Sequence, residues 1–315
     1  MNCQEVARFL REHDNYLILT HKRPDGDTIG CAAALFELLR GLGKTAWLLP
    51  SLDATRLFRE YLDGREAPAD YVPDTVVSVD VATENLLPPN AEEYRGRIHL
   101  AIDHHPSQEF FARDTWVEAD KAACGELLYA LAEELGGLNA AAATPLYVAV
   151  STDTGCFAYS NVTANTHRVT AALMEAGAPY QRLNKKHFRT KTLARMRLEG
   201  LILQNMALYH DGAVVVAPIS LEMMARANAT EDDTEDIAAF VGQIEGVRHS
   251  ATIRELRPGE CKISLRTAAD LLDASAACAR LGGGGHKAAA GCTVYGTVEE
   301  AERAIVGAID AQMQA

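Results

Sequence analysis

The chain has 315 residues, of which 48% are hydrophobic, 23% charged and 6% aromatic, a composition that suits a soluble α/β protein and excludes collagen-like, low-complexity and disordered classes. Its formal net charge of −13 argues against a protein that grips long duplex nucleic acid, since that affinity comes largely from lysine and arginine on phosphates. No apolar run approaches the roughly 18 to 20 residues that span a bilayer, and the start MNCQE lacks the basic flank and apolar core of a signal peptide, so a cytoplasmic protein without membrane contact is expected.

One hydrophobic core rarely fills this length, so two domains are expected. Residues 16–20 read as a strand, followed by a polar loop and a helix over 28–42 that Gly41 and Gly43 help to end. Two more short apolar runs, 76–79 and 98–102, each stop at acidic or histidine residues, and 122–135 reads as a helix closed by Gly136 and Gly137. Thr144 and Pro145 look like an N-cap and first-turn proline, which makes 146–152 a buried helix, although periodicity alone allows a strand. This alternation predicts an α/β first domain, 1–184, with a mostly parallel sheet and helices on both faces. In such sheets ligands sit beyond the carboxyl ends of the strands.

Between residues 185 and 197 six bases occur with no acid, in a helix-compatible stretch read as a connector over 185–205. The run serves either as a solvated helix face or to steer substrate. Beyond it, 206–209 and 213–219 flank the turn His210-Asp211-Gly212, and 249–256 and 261–267 flank Pro258 and Gly259, which predicts two hairpins. Helical patterns at 235–244, 268–281 and 298–312 complete a smaller α+β domain over 206–315. The seven cysteines are odd in number and never form a C-x-x-C pair, so they read as reduced, mostly buried small hydrophobes.

Four clusters carry the chemistry. HKRPDGD presents His21, Asp25 and Asp27 after the first strand; Asp80 closes VVSVD; Asp103, His104 and His105 close HLAIDHH; and Asp153 lies in STDTG after the buried helix. An isolated aspartate before a helix is commonly a cap, and a lone histidine is commonly structural. Here carboxylates and imidazoles recur along one expected sheet edge. That donor set suits Mn²⁺, and the lack of cysteine in it disfavours a structural zinc site. Two cations roughly 3.5 to 4 Å apart could activate a water and neutralise a phosphoryl group, provided a carboxylate bridges them.

These four clusters, in this order, resemble the motifs of the DHH phosphoesterase superfamily, named for the triplet Asp103 to His105. In the second half, SLRT with Arg266 and the run GGGGHKAAAG, Gly282 to Gly291, resemble the DHH-associated domain that follows in one branch. The closest resemblance is to the group of bifunctional oligoribonucleases and 3′-phosphoadenosine-5′-phosphate (pAp) phosphatases. It implies that His21 and Asp25 bind one metal, that Asp27, His104 and Asp153 bind the other, and that Asp80 bridges them. His105 would face the scissile phosphate as a positioning group or general acid, and Asp103 would orient a histidine. It further implies two Mn²⁺ ions, with Mg²⁺ or Co²⁺ as substitutes.

The glycine run has its own physical logic. Gly282, Gly283, Gly284 and Gly285 let the backbone approach an anion closely, Arg266 can bind a phosphate through two parallel hydrogen bonds, and His286 stands at the exit. A dinucleotide-cofactor loop fits poorly, because GGGGH is not G-x-G-x-x-G. One departure from relatives follows DTG, where Ala158 stands in place of a basic residue; Asn161 serves either the site or its loop as a cap. The expected substrates are short single-stranded RNA cut to nucleoside 5′-monophosphates, dinucleotides and pAp. A linear or cyclic dinucleotide phosphodiesterase is the alternative, and a non-enzymatic nucleotide-binding protein would require a missing ligand, of which there is none. A homodimer is compatible with the sequence.

Overall fold

The N-terminal helix α1 (Cys3–Glu12) is fixed by a reciprocal cap: Asn2 Oδ1 accepts from the Glu5 N–H at 3.0 Å, and Glu5 Oε2 accepts from the Asn2 N–H at 2.8 Å. The computed structural model describes residues 1–234, 237–268 and 270–313, with only the backbone of Ala239. It divides into two units, Met1–Thr190 and Lys191–Ala315.

In the first unit five strands, β1 (Tyr16–Leu19), β2 (Ala46–Leu48), β3 (Thr75–Val79), β4 (Leu100–Asp103) and β5 (Asp114–Val117), form an all-parallel sheet in the order β2-β1-β3-β4-β5. One face, through Tyr16, Ile18, Val77, Val79, Leu100 and Ile102, joins a core with α1, α2 (Gly26–Gly41), α3 (Cys124–Leu135) and α4 (Ala140–Asp153). On the other face Leu17, Leu19 and Val76 meet Leu87, Ala91 and Tyr94 from a segment containing short 3₁₀ turns. Both faces are therefore covered, which is why these strands read as unbroken apolar runs. The order reverses between β1 and β3, and that switch point is where an open α/β sheet leaves a crevice beyond its carboxyl ends.

Helix α4 corrects one expectation. It begins at Ala140, capped by Asn139, whose side chain accepts from the Ala142 N–H at 2.9 Å, so Thr144 and Pro145 lie inside it. Without an N–H, Pro145 gives up one backbone bond. A close contact with α2 accompanies this: a Cβ on Gly30 would fall 2.4 Å from the Pro145 carbonyl oxygen, and one on Gly26 would fall 2.3 Å from Thr152 Oγ1. The glycines thus let α2 and α4 approach backbone to backbone. Helices α5 (Ala164–Glu175) and α6 (Tyr180–Phe188) complete the unit.

The basic stretch 185–205 comprises the end of α6 and α7 (Leu193–Asn205), with Thr192 capping the latter. Several of its bases are engaged locally: Lys186 pairs with Glu60 at 2.9 Å, and Lys191 and Arg195 both pair with Glu199.

The second unit holds β6 (Ala207–Tyr209), β7 (Val214–Ile219), α8 (Leu221–Ala227), α9 (Ile237–Val241), β8 (His249–Arg257), β9 (Glu260–Thr267), α10 (Ala274–Ala279), β10 (Gly284–Gly285), β11 (Ala289–Tyr295) and α11 (Val298–Met313). Both expected hairpins form, within a six-stranded sheet of order β10-β11-β9-β8-β7-β6 whose only parallel pair among the described residues is β7–β8. One core sets α10 and α11 against the sheet, and a second sets α7, α8 and α9 against it. The helix expected over 268–281 is shorter, because Asp273 starts it by accepting from the Ala276 N–H at 3.0 Å; Ala269 lies outside the described residues. Of the helix expected over 235–244, Ile237–Val241 is helical, and Glu235 and Asp236 lie outside the described residues. All seven cysteines are free, five of them buried. Among the described residues no helix is long and apolar enough to cross a membrane.

Candidate metal centre

Each cluster reaches the carboxyl edge of the first sheet by its own route. After β1 the chain turns through His21, whose Nδ1 donates to the Lys22 carbonyl at 2.9 Å and so leaves Nε2 facing the crevice. Asp25 caps α2 by accepting from the Asp27 and Thr28 N–H groups. Asp27, in the first turn of α2, lies at the start of α3 and accepts from the Cys124 and Gly125 N–H groups at 2.7 and 3.0 Å, and from the Cys31 thiol at 3.2 Å. It supplies the cap that Ala123 cannot.

Asp80 directly follows β3 in a left-handed conformation, φ 57°, held by its N–H on the Ile102 carbonyl at 2.9 Å. His104 follows β4, and its Nδ1 donates to the Lys121 carbonyl at 3.1 Å, again freeing Nε2. A main-chain carbonyl fixes the tautomer of both histidines, the arrangement that usually orients an imidazole ligand. Asp153 is the last residue of α4.

These side chains converge. His104 Nε2 lies 3.5 Å from Asp80 Oδ1, 3.6 Å from Asp153 Oδ2 and 3.8 Å from Asp27 Oδ2; His21 Nε2 lies 3.6 Å from Asp25 Oδ1 and 4.0 Å from Asp80 Oδ2. Three overlapping donor groups result, each within 4.8 Å: His21, Asp25 and Asp80; Asp27, His104 and Asp153; Asp80, His104 and His105. The separations exceed hydrogen bonds and leave room for a small cation between donors. Asp80 Oδ1 is buried and has no hydrogen-bond partner among the described residues.

Burial, then the neighbouring Asp27, pushes Asp80 well above the usual carboxylate range; burial likewise raises Asp27, and burial with Asp27 and Asp25 raises Asp153 to about 8. Among the described residues no lysine or arginine pairs with these acids. An all-oxygen and imidazole donor set with an orphaned buried carboxylate oxygen fits a hard or borderline divalent cation.

His105 Nδ1 lies 2.8 Å from Asp103 Oδ1 and 3.5 Å from Asp80 Oδ1. Burial lowers its pKa, but the hydrogen bond and charge of Asp103 outweigh that and hold it above its ordinary value. Asp103 is fully buried, and its second oxygen accepts from Gln108 Nε2 at 2.7 Å. Gln108 was not legible in the sequence: a polar residue before Phe110 and Phe111 carries no periodic or motif signal.

Asn161 donates to the carbonyls of Ala122 at 2.9 Å and Asp153 at 3.1 Å, which pins the end of α4 beside the cluster. The intervening turn runs through Gly155, Cys156 and Phe157, all at positive φ, and leaves Ala158 exposed.

In the second unit Arg266 lies on β9 opposite Ala289, exposed, its Nη1 donating to the Leu265 carbonyl at 3.3 Å. The glycine run is the hairpin partner of β11: Gly284 faces Gly291 and Gly285 faces Ala290. A Cβ on Gly283 would fall 2.2 Å from the Gly291 oxygen, whereas one on Gly284 would meet nothing within 4 Å. Gly282, Gly284, Gly285 and His286 are exposed.

Fold and donor set together define a two-unit α/β protein with a carboxylate and imidazole site at the switch point of a parallel sheet. The chain belongs to the DHH family: residues 15–150 match the DHH family N-terminal domain, and residues 211–315 match the DHHA1 domain. It is 32% identical to a Thermus thermophilus protein named bifunctional oligoribonuclease and PAP phosphatase NrnA, over 89% of this chain and 84% of the relative. A Bacillus subtilis protein of the same name is 26% identical over 95% of each. A solved exopolyphosphatase-related protein from Bacteroides fragilis superposes with a TM-score of 0.88 at 23% identity, covering 99% of this chain and 96% of that one.

Proposed function

We propose that this protein is a metal-dependent phosphoesterase that cuts very short RNA to nucleoside 5′-monophosphates and pAp to AMP and phosphate. The names of the relatives similar over most of its length support the substrate class. The observation that carries the chemistry is the set of three donor groups overlapping at Asp80 and His104, with Asp80 Oδ1 lacking a hydrogen-bond partner among the described residues.

In this reading His21 and Asp25 hold one divalent cation, Asp27, His104 and Asp153 hold a second, and Asp80 is shared; Mn²⁺ is the first choice, with Mg²⁺ or Co²⁺ as substitutes. Bound there, such ions acidify a water and neutralise phosphoryl charge. The protein's own groups do the rest. Nδ1 anchoring on Lys22 and Lys121 keeps His21 and His104 aimed inward. Asp103 holds His105, which positions the scissile phosphate or protonates the leaving oxygen. Arg266, Gly282 to Gly285 and His286 bind the substrate's terminal phosphate or base, with Asn161 holding the Asp153 turn. The net charge of −13 disfavours long strands.

The test is a substrate panel of dinucleotides, five-mers, long RNA, pAp, linear and cyclic dinucleotide messengers and pyrophosphate, with Mn²⁺ and with chelator. Turnover confined to short RNA and pAp, lost in chelator, is expected. Preference for a cyclic dinucleotide would move the assignment to a dinucleotide phosphodiesterase, and full activity in excess chelator would end the metal reading.

A further inference from the structure

Gln108 is buried, 7% exposed, three residues past the histidine pair. Its Nε2 donates both to Asp103 Oδ2 at 2.7 Å and to the Val81 carbonyl at 2.8 Å, while its Oε1 accepts from the Phe110 N–H at 3.0 Å. A carbonyl can only accept and a main-chain N–H can only donate, so these partners settle which end of the amide is nitrogen. Asp103 in turn accepts at Oδ1 from the N–H groups of His104 and His105 and meets His105 Nδ1 there. Both Asp103 oxygens are thus occupied by donors. The proton of a neutral His105 must sit on Nδ1, which also lies 3.5 Å from Asp80 Oδ1; Nε2 carries a proton only in the imidazolium, the form a general acid requires.

We infer that Gln108 is a positioning residue: it locks Asp103, and through it the Nδ1–H tautomer and ring orientation of His105. Its second N–H ties the same amide to Val81, the residue after the shared carboxylate Asp80, so one side chain registers His105 against the metal-binding edge. No group outside this chain is needed for the lock. Removing the amide donor leaves Asp103 Oδ2 buried without a partner, free to turn and to release His105. The inference rests on the reading of this site as the hydrolytic centre only for its kinetic consequence.

The test uses the full chain with Gln108→Met and Gln108→Leu, which roughly keep the volume and carry no hydrogen-bond donor. Histidine ¹⁵N spectra of the metal-free protein, with the His105 signals assigned by their loss in His105→Ala, are expected to show a single Nδ1–H tautomer in the wild type and a mixture in both variants. With Mn²⁺ and a dinucleotide, kcat is expected to fall by about 10- to 100-fold, the usual cost of losing an outer hydrogen-bond partner, with KM changed by less than about threefold and metal content intact. In a His105→Ala background the Gln108 substitutions are expected to add no further loss. An unchanged tautomer, or a loss of the same size in the His105→Ala background, overturns the inference. If the wild type turned over none of the panel, the proposed function would fall while the tautomer measurement still decided the role of Gln108.

Discussion

Replacing Asp80 by Asn separates what the side chain does for folding from what it does for chemistry. Asn keeps the shape and tolerates the left-handed backbone that Asp80 adopts at φ 57°. Asp80 is a buried acid beside Asp27, pushed well above its usual range, and its Oδ1 has no hydrogen-bond partner among the described residues. Relief of such an uncompensated buried group is worth about 1–3 kcal/mol, and each kcal/mol moves the melting temperature of a domain this size by about 2–4 °C. In chelator, Asp80→Asn is therefore expected to melt about 2–12 °C above the wild type. With Mn²⁺ at 100 times its dissociation constant the wild type gains about 2.7 kcal/mol by linkage, and the variant, lacking the shared carboxylate, gains little and turns over almost nothing. Calorimetry with and without Mn²⁺, paired with elemental analysis, reads both effects. A variant that melts below the metal-free wild type yet keeps its Mn²⁺ response would refute the idea that Asp80 is held in place for an ion.

Four further outcomes are expected. His104→Ala should lose metal because its Nε2 faces Asp27, Asp80 and Asp153, whereas His105→Ala should keep metal and lose mainly kcat; equal metal loss by elemental analysis would refute the division. Arg266→Ala should cost about 2–4 kcal/mol in kcat/KM on dinucleotides and pAp while sparing a minimal diester such as bis-p-nitrophenyl phosphate. Gly284→Ala, whose methyl meets nothing in the folded chain, should retain its melting temperature and lose activity on the same nucleotide substrates, and unaffected turnover in both variants would remove the second unit from substrate binding. His187, stacked on Phe58 and hydrogen-bonded to the Tyr61 hydroxyl, is lowered by burial and then by Lys186 to about 4; between that value and 6.5 the unfolded chain binds a proton that the folded chain refuses, so stability falls as pH drops through this window. His187→Gln should flatten that fall by up to one proton's slope in acid denaturation, and an identical slope would refute it.

The candidate ligands were legible because chemistry concentrates where strands end. His21, Asp80 and His104 each follow an apolar run, and a parallel sheet brings such ends to one edge. The shape of the second sheet was less legible. Strand β11 is Ala-Ala-Gly-Cys-Thr-Val-Tyr; its first four residues lack the β-branched and aromatic side chains that announce a strand, and they pair because β9 and the glycine run flank them. The start of α4 was misread because Pro145 signals a first turn locally, while Asn139 and the glycines of α2 decide the outcome. The carbonyls that orient His21 and His104 belong to Lys22 and Lys121, whose side chains are irrelevant to that task, and no residue pattern can announce a main-chain acceptor.

The glycines of α2 have a consequence for how sequence variation in this protein will read. Gly26 and Gly30 carry no functional group, yet the start of α2 bears Asp25 and Asp27 and the end of α4 bears Asp153, and the missing side chains set how near those ends come. A methyl at either position would force the helices apart at the rim of the site. A deep mutational scan scored on turnover should rank Gly26 and Gly30 among the intolerant positions alongside the acids, and a map of chemical function drawn from that scan alone would enlarge the active centre by two residues that act only as a spacer.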